Sequence, residues 1–470
     1  MSKLTQNLST DATEPQGRQA NTMWSSRMAF ILAASGSAVG LGNIWKFPYI
    51  TGENGGGAFV LVYLLCISIV GIPIMIAEVM MGRAGGKSPI NSLRDLAQRN
   101  GLSTRWVGVA WLGVIASFLI LSFYSVIGGW AISYVGHAAS GSFAGADADA
   151  IGAMFGGLLG DAGTLMIWHS IFMVTVIMIV ARGLKSGMEK AINLLMPLLF
   201  FLLLVMVGYA ASTSAFDQGF SFLFSVDFSK LTTAGVLTAL GHAFFTLSLG
   251  MAVMIAYGSY LPKNVSIAKT AVTVSIVDTL VALLAGLAIF PLVFANGLEP
   301  GAGPGLIFQT LPLAFGKMSG GVLFGTLFFA LLVVAAFTSA ISLLEPVVEW
   351  LEEKKGINRF VATLIAGGTV WLLGIATVLS LNEWANFHPL AFIPAFEGKT
   401  VFDILDYVTS NLMMPLAGLL TAVLVGWFMK REMVRQELAM DSEGAFNGLM
   451  FVLKFLTPAA VMVVFIYNLI

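Results

Sequence analysis

Asp278 is the one carboxylate in the run TVSIVDTLVALLAGLAIF. Placed at the centre of a bilayer, such a group costs roughly 2.5–3.5 kcal/mol, so it needs a partner or a function. A structural hydrogen bond inside a helix bundle is the plainer alternative. Two other apolar runs are interrupted by glycines and small polar residues: Ser35-Gly36-Ser37-Ala38-Val39-Gly40-Leu41-Gly42-Asn43 and Thr246-Leu247-Ser248-Leu249-Gly250. These residues let a helix unwind, and unwound backbone at membrane depth must face a cavity or an ion, because lipid cannot satisfy its hydrogen bonds. Freed backbone N–H groups around Leu41 and Gly42, next to a helix N-terminus, suit a carboxylate. Thr338 and Ser339 place two adjacent hydroxyls in a further apolar run. Their alternative is a bond to a carbonyl one turn earlier. Catalytic metal chemistry finds no footing: there is no HExxH pattern, and His137, His169, His242 and His388 lie far apart without ligand spacing.

The elements that must position these residues are membrane helices. Of 470 residues, 57% are hydrophobic and 10% charged, too few charges to cover a soluble surface of this size. Runs of about 20 apolar residues, enough to cross a bilayer as a helix, recur along the chain. Eleven spans are expected, near 24–50, 57–82, 106–136, 163–182, 188–211, 231–260, 266–295, 320–350, 359–381, 402–428 and 446–469. Residues 300–316 are too broken by Pro and Gly for a span and read as a partly helical external loop. The interruptions fall in the first and sixth spans. That five-span spacing fits an inverted repeat, and paired interrupted spans point to a transport site.

Charge gives orientation. Nineteen lysines and arginines collect on the side of the N-terminus, whereas Lys46, Lys230, Lys317 and Lys399 lie on the other. The segment 137–162 holds Asp147, Asp149 and Asp161 and no lysine or arginine. The N-terminus is therefore expected in the cytoplasm and the C-terminus outside. Residues 1–22 are polar, lack a secretory signal pattern, and read as a cytoplasmic tail. The single cysteine, Cys66, lies in an apolar run and reads as a core thiol. A net charge of -1 gives no reason to expect nucleic acid as a partner.

Four segments, in order and at matching separations, resemble the neurotransmitter:sodium symporters, in particular their prokaryotic amino acid transporters: SAVGLGNIWKFP (37–48), ENGGGAF (53–59), FFTLSLG (244–250) and TSAISLLEP (338–346). The resemblance implies an all-α integral membrane protein with a LeuT-type 5+5 inverted repeat and broken helices 1 and 6. The corresponding divisions are the tail 1–22, a first repeat 23–211, a second repeat 212–430, and a cytoplasmic loop with the eleventh span, 431–470. The implied activity is sodium-coupled import of an amino acid across the cell (inner) membrane, with no enzymatic chemistry. The implied partners are the lipid bilayer, a neutral amino acid and two sodium ions, in a monomer or weak homo-oligomer.

The resemblance also implies sites. Sodium, a hard cation, takes oxygen ligands. One sodium site would use Ala38, Asn43, Thr246 and Asp278. A second would use the carbonyls of Gly36, Val39 and Ala335 with the hydroxyls of Thr338 and Ser339. The substrate site would comprise Ser37, Ala38, Leu41, Gly42, Ile120, Tyr124, Phe245, Thr246, Ser248, Met251, Ser339 and Leu343. Tyr124 would bond the substrate carboxylate. Gly40 stands where monoamine transporters carry an aspartate, and the wall has no acid or base, so a neutral amino acid is expected. Many relatives have Asn at position 278 and bind chloride, with a serine one turn on. Here Asp278 and Ala282 occupy these places, which predicts chloride-independent transport and makes Asp278 a candidate for proton antiport.

Lys46 and Asp406 match an outer ion-pair gate, with Lys in place of the usual Arg and hence no bidentate fork; Phe245 would be the lid beneath. At the inner gate Trp24 and Glu353 match, but Asn21 stands where an Arg is expected, with Arg18 a poor substitute. Gly187 and Pro197 resemble a motif that lets the fifth span unwind toward the cytoplasm; a static kink is the alternative. Three other readings remain open on sequence: a proton- or exchange-driven transporter of the same fold, an intramembrane enzyme, and a sensor that binds without transporting.

Overall fold

The computed structural model describes residues 23–301, 303 and 305–467. Among these residues it is helical throughout, without strands. Among the described residues, nine helices are long and apolar enough to cross a membrane. The pair Arg27–Ala38 and Gly42–Glu53, bent by 49° at its break, makes a tenth span when counted as one. Helices Thr233–Thr246 and Val253–Ser259, separated by residues 247–252, stand where the second interrupted span is expected. Here they are called the two halves of the sixth span, and the remaining spans are numbered in chain order around them.

Local chemistry accounts for most boundaries. Ser26 caps the first span by accepting the Ala29 N–H at 3.1 Å, which places its start at Arg27 rather than 24. Asp161 caps the fourth span, Ala162–Ala181, and Asn358 the ninth, Arg359–Ser380. A capping box of Thr400 with Asp403 opens the tenth, Val401–Phe428. Left-handed glycines end two others: Gly86 after the second span, Gly57–Gly85, and Gly356 after the eighth, Gly321–Lys355. The eighth thus runs five residues past its expected end at 350.

The connections hold more helix than hydropathy alone indicates. Pro89–Arg99 carries Ile90, Leu93, Leu96 and Ala97 on one buried face, the spacing of an amphipathic helix. In the segment around 300–316, Leu306–Thr310 and Leu311–Lys317 are helical, as expected of it. Ala148–Gly160 and Phe216–Phe224 are further short helices.

The eighth span is the central post: 78% of its most apolar window is buried inside the protein, against 33% for the fourth, fifth and eleventh spans. It packs most extensively on the third, Thr104–Ala139, and also on the first half of the first, Arg27–Ala38, and on the fifth, Leu184–Ala211. The second span meets the second half of the sixth, Val253–Ser259, at near backbone contact. A Cβ on Gly82 would lie 2.0 Å from the Ile255 carbonyl oxygen, and one on Gly258 would lie 2.5 Å from that of Val79. Only residues without side chains permit this approach, the usual device of tight membrane helix pairs. Gly82→Val or Gly258→Val should therefore lower the thermal stability of the purified protein by about 1–3 kcal/mol or more. Gly208→Ala, whose added Cβ meets nothing within 4 Å, should leave the melting temperature unchanged or raise it.

Candidate functional site

The two breaks face each other in the middle of the fold. In the first, the backbone turns extended at Val39 (ψ 103) before the helix resumes. In the sixth, Ser248, Gly250 and Ala252 adopt positive φ of 54, 72 and 59°. For Ser248 and Ala252 that costs of order 1–3 kcal/mol each, so the surroundings must over-determine it. They do: the Ser248 hydroxyl donates to the Ser37 carbonyl at 2.9 Å, and the Ser37 and Ser248 hydroxyls lie 3.3 Å apart. Gly250 donates its N–H at 2.8 Å to Glu78, a carboxylate buried in the second span. A side chain at Gly250 would fall 2.3 Å from the Met414 carbonyl. Glu78 was missed by sequence reasoning. Its signal was the one used for Asp278, a lone acid in an apolar run (GIPIMIAEVMMGR).

Asn43, Thr246 and Asp278 form one buried cluster. The Asn43 side-chain nitrogen donates to Asp278 Oδ1 at 2.8 Å and lies 3.0 Å from the Asp278 carbonyl and 3.1 Å from Thr246 Oγ1. The Thr246 hydroxyl lies 3.0 and 3.1 Å from the two carboxylate oxygens. Asn43 Oδ1 accepts the Gly40 N–H at 3.0 Å, tying the cluster to the first break. Tyr63 sets its hydroxyl beside the same carboxylate without meeting hydrogen-bond geometry. Ala38 is buried at the break itself.

The second group gathers on the other side of the first break. Thr338 donates its hydroxyl to the Ala335 carbonyl at 2.9 Å and lies 3.2 Å from that of Val39. Ser339 Oγ lies 3.1 Å from the Ser37 carbonyl and 3.4 Å from that of Val39. Gly36 keeps the helices close, since a Cβ there would sit 3.5 Å from Thr338 Cβ and 3.1 Å from Met196 Sδ. The contact to Ala335 is the back-bond that any helical threonine can make. Those to Val39 and Ser37 are not, because they join the eighth span to the first.

Between the two clusters lies a small cavity of about 20 Å³. The breaks contribute Ser37, Ala38, Gly40, Leu41, Gly42, Ser248 and Met251; Phe245 closes one end; Ile120, Tyr124, Ser339 and Leu343 complete the wall. Every residue expected at the substrate site is here except Thr246, which belongs to the Asn43–Asp278 cluster. The Tyr124 hydroxyl accepts the Leu41 N–H at 3.2 Å. A space of this size holds little more than a water, so a larger ligand requires Phe245 or the broken segments to shift.

The gate residues take less uniform positions. Lys46 lies over the Phe245 ring, 4.5 Å from its centroid, a cation–π contact. Its expected pairing with Asp406 is not a direct ion pair; Asp406 accepts the Ser410 hydroxyl at 3.0 Å, leaving a longer-range attraction. On the opposite side Trp24 is buried among Tyr257, Tyr260 and Phe30. Glu353 accepts from the Ser88 N–H and hydroxyl and from Asn91. Asn21 and Arg18, the inner-gate questions of the sequence, lie outside the described residues. Gly187 sits in the π-helical turn Leu184–Glu189, and Pro197 inside the helix Lys190–Ala211 that follows. No group of three or more His, Cys, Asp or Glu side chains able to hold a metal occurs among the described residues.

This arrangement, two facing helix breaks with acid, amide and hydroxyls between them, has known counterparts. The family model of the sodium:neurotransmitter symporter family matches residues 21–148 and 157–470. The chain is 37% identical over 451 residues to the uncharacterized sodium-dependent transporter YhdH of Bacillus subtilis (strain 168), covering 95% of this chain and 98% of that one. It is 33% identical over 444 residues to the uncharacterized sodium-dependent transporter MJ1319 of Methanocaldococcus jannaschii, covering 89% and 84%. The crystal structure of MhsT in complex with L-phenylalanine superposes with a TM-score of 0.87 at 40% identity, covering 95% of this chain and 99% of that one. The chain therefore belongs to the sodium:neurotransmitter symporter family. It is a multi-span, sodium-dependent membrane transporter with a LeuT-type fold, and not an enzyme.

The tightest packing in the site makes a direct prediction. A Cβ on Gly40 would fall 2.2 Å from Ser339 Oγ and 2.9 Å from the Tyr124 hydroxyl. Gly40→Ala should reduce sodium-dependent transport by about tenfold or more while the protein remains folded, since an overpacked contact of 1–3 kcal/mol falls on the moving break. Initial uptake rates beside a thermal melt would separate the two effects.

Proposed function

We propose that this chain imports a neutral amino acid by alternating access, driven by two sodium ions and independent of chloride. The observation that carries the proposal is the convergence of both helix breaks on one cavity, with a cluster of oxygen-bearing side chains on each side. MhsT, with the same fold, is seen in complex with L-phenylalanine.

The first sodium would enter the Asn43–Thr246–Asp278 cluster, with the Ala38 carbonyl completing the protein ligands. There the Asn43 amide turns its oxygen to the ion, and the carboxylate of Asp278 supplies the charge. The second would lie among the carbonyls of Gly36, Val39 and Ala335 and the hydroxyls of Thr338 and Ser339, replacing hydrogen bonds already pointing at that spot. Each ion moving down about 100 mV contributes about 2.3 kcal/mol, so two give about 4.6 kcal/mol, or roughly three decades of accumulation from the potential alone.

The amino acid's carboxylate would meet the N–H groups of Leu41 and Gly42 and the Tyr124 hydroxyl. Its side chain would lie along Ile120, Phe245, Met251 and Leu343. No acid or base lines that wall, which favours a neutral side chain. Asp278 already places a fixed negative charge next to the first sodium, so an added anion has no charge to balance. The first, second, sixth and seventh spans would rock as a bundle against the scaffold built on the third and eighth, with the N-terminus in the cytoplasm and Lys46 and Phe245 on the outer side.

Proteoliposomes given a mixture of labelled neutral amino acids test this reading. With an inward sodium gradient the substrate should concentrate inside; with choline in place of sodium it should not. Replacing chloride by gluconate should leave the rate unchanged, and a collapse of uptake would remove the role given to Asp278. Pro197→Ala should slow sodium release and turnover severalfold. Unchanged turnover would mean that the fifth span does not unwind in the cycle.

A further inference from the structure

The start of the first span is held at two places that belong to different parts of the molecule. Trp24, 2% exposed, is bound to the second half of the sixth span and the residue that follows it. Its indole N–H donates to the Tyr257 carbonyl and its backbone N–H to the Tyr260 carbonyl, both at 3.2 Å, and the ring packs edge-on against Tyr257 at 5.2 Å. Its neighbour Ser25 is bound elsewhere. The Ser25 backbone N–H donates to Glu189 Oε2 at 3.2 Å, and its hydroxyl donates to Oε1 of the same carboxylate. Glu189, 8% exposed, is the last residue of the π-helical turn at the head of the fifth span. That turn is pressed against the fourth span, for a Cβ on Gly187 would come 2.1 Å from the Ile179 carbonyl.

We infer that Ser25 and Glu189 form a latch at the inner path, one that positions the start of the first span against the fifth. The inference rests on the alternating-access reading above. In that reading the first and sixth spans move together, so the contacts of Trp24 travel with the bundle and survive opening. The bond from Ser25 to Glu189 crosses from the bundle to the scaffold, so the inner end of the first span cannot swing away without breaking it. Ser259 and Tyr260, at the end of the sixth span, also reach across that boundary to Glu349 and Glu345 of the eighth, whereas Ser25 is the point at which the start of the first span itself is tied to the fifth. Arg359 pairs with the buried Glu345 and with Glu352, joining the eighth and ninth spans within the scaffold. Two donors on one carboxylate make a charge-assisted, two-point contact, stronger than a neutral hydrogen bond yet small enough to break in each cycle. The carboxylate also ends the π-helical turn. Release of Ser25 therefore frees the head of the fifth span as the first span leaves.

The test is a distance measurement on the full chain in lipid nanodiscs. With Cys66→Ser as background, spin labels at Met28→Cys and Phe360→Cys, both at exposed positions, report the separation of the first span from the scaffold. In sodium, Ser25→Ala and Glu189→Ala should each raise the ratio of long to short distances by about tenfold over the parent, and Glu189→Gln by less, because one acceptor oxygen remains. The double variant Ser25→Ala/Glu189→Ala should go no further than the larger single effect, the signature of one shared contact. Unchanged distributions in both single variants, or additive effects in the double, would overturn the latch. Should the parent show a single distance under every sodium and amino acid condition, the alternating-access reading fails and the latch fails with it. Ser25→Ala removes one oxygen at an exposed residue, so folding does not confound the result.

Discussion

Backbone that leaves the helix inside a membrane must find its hydrogen bonds within the protein, and the rest of this structure follows from that constraint. Two spans break, and each supplies part of what the other lacks. Ser248 bonds the Ser37 carbonyl, and Asn43 reaches Thr246 and Asp278. Glu78 takes the Gly250 N–H from a third span. What remains is a set of carbonyls, hydroxyls and one carboxylate aimed at common points, which is the chemistry a sodium ion requires. In the proposed reading, ion binding and shape become one problem: a cation entering there would exchange places with hydrogen bonds that set the conformation of the breaks.

Packing makes this exchange possible without loosening the molecule. The eighth span is buried along most of its length and provides Thr338 and Ser339 from a continuous helix. The broken spans lean on it and on one another: Gly36 packs against the side chains of Met196 and Thr338, and Gly82 and Gly258 allow near backbone contact between the second and sixth spans. A rigid post beside a hinged pair is the arrangement expected when motion must be confined to a few elements. The two ends of the first span then differ in kind. At one, Lys46 lies over Phe245 without a direct acid partner, whereas at the other the chain is tied by Trp24 and Ser25 to two different neighbours.

Much of this was legible in the sequence because membrane solvation is unforgiving. A lone acid in an apolar run and glycines beside small polar residues in mid-span both carry costs large enough to show in one chain. The cavity wall followed from motif resemblance, residue by residue. What escaped depended on geometry between distant elements. Glu78 carried the same signal as Asp278 but offered no reason to pair it with Gly250. Ser25 and Glu189 are ordinary residues at span ends, and only their juxtaposition gives them meaning. The expected Lys46–Asp406 pair was a matter of side-chain reach, which spacing does not determine. The helices Pro89–Arg99 and Ala148–Gly160 were hidden because a search for spans passes over short helices.

The central claim is that sodium and the transported molecule share one site at the helix breaks. The affinity of the purified protein for its amino acid, measured as sodium is raised against a constant ionic strength of potassium, tests it most directly. Coupling through a shared site predicts that affinity climbs steeply with sodium, and that the amino acid in turn raises the affinity for sodium by the same factor, as linkage requires. An affinity that does not change from zero to saturating sodium would contradict the account.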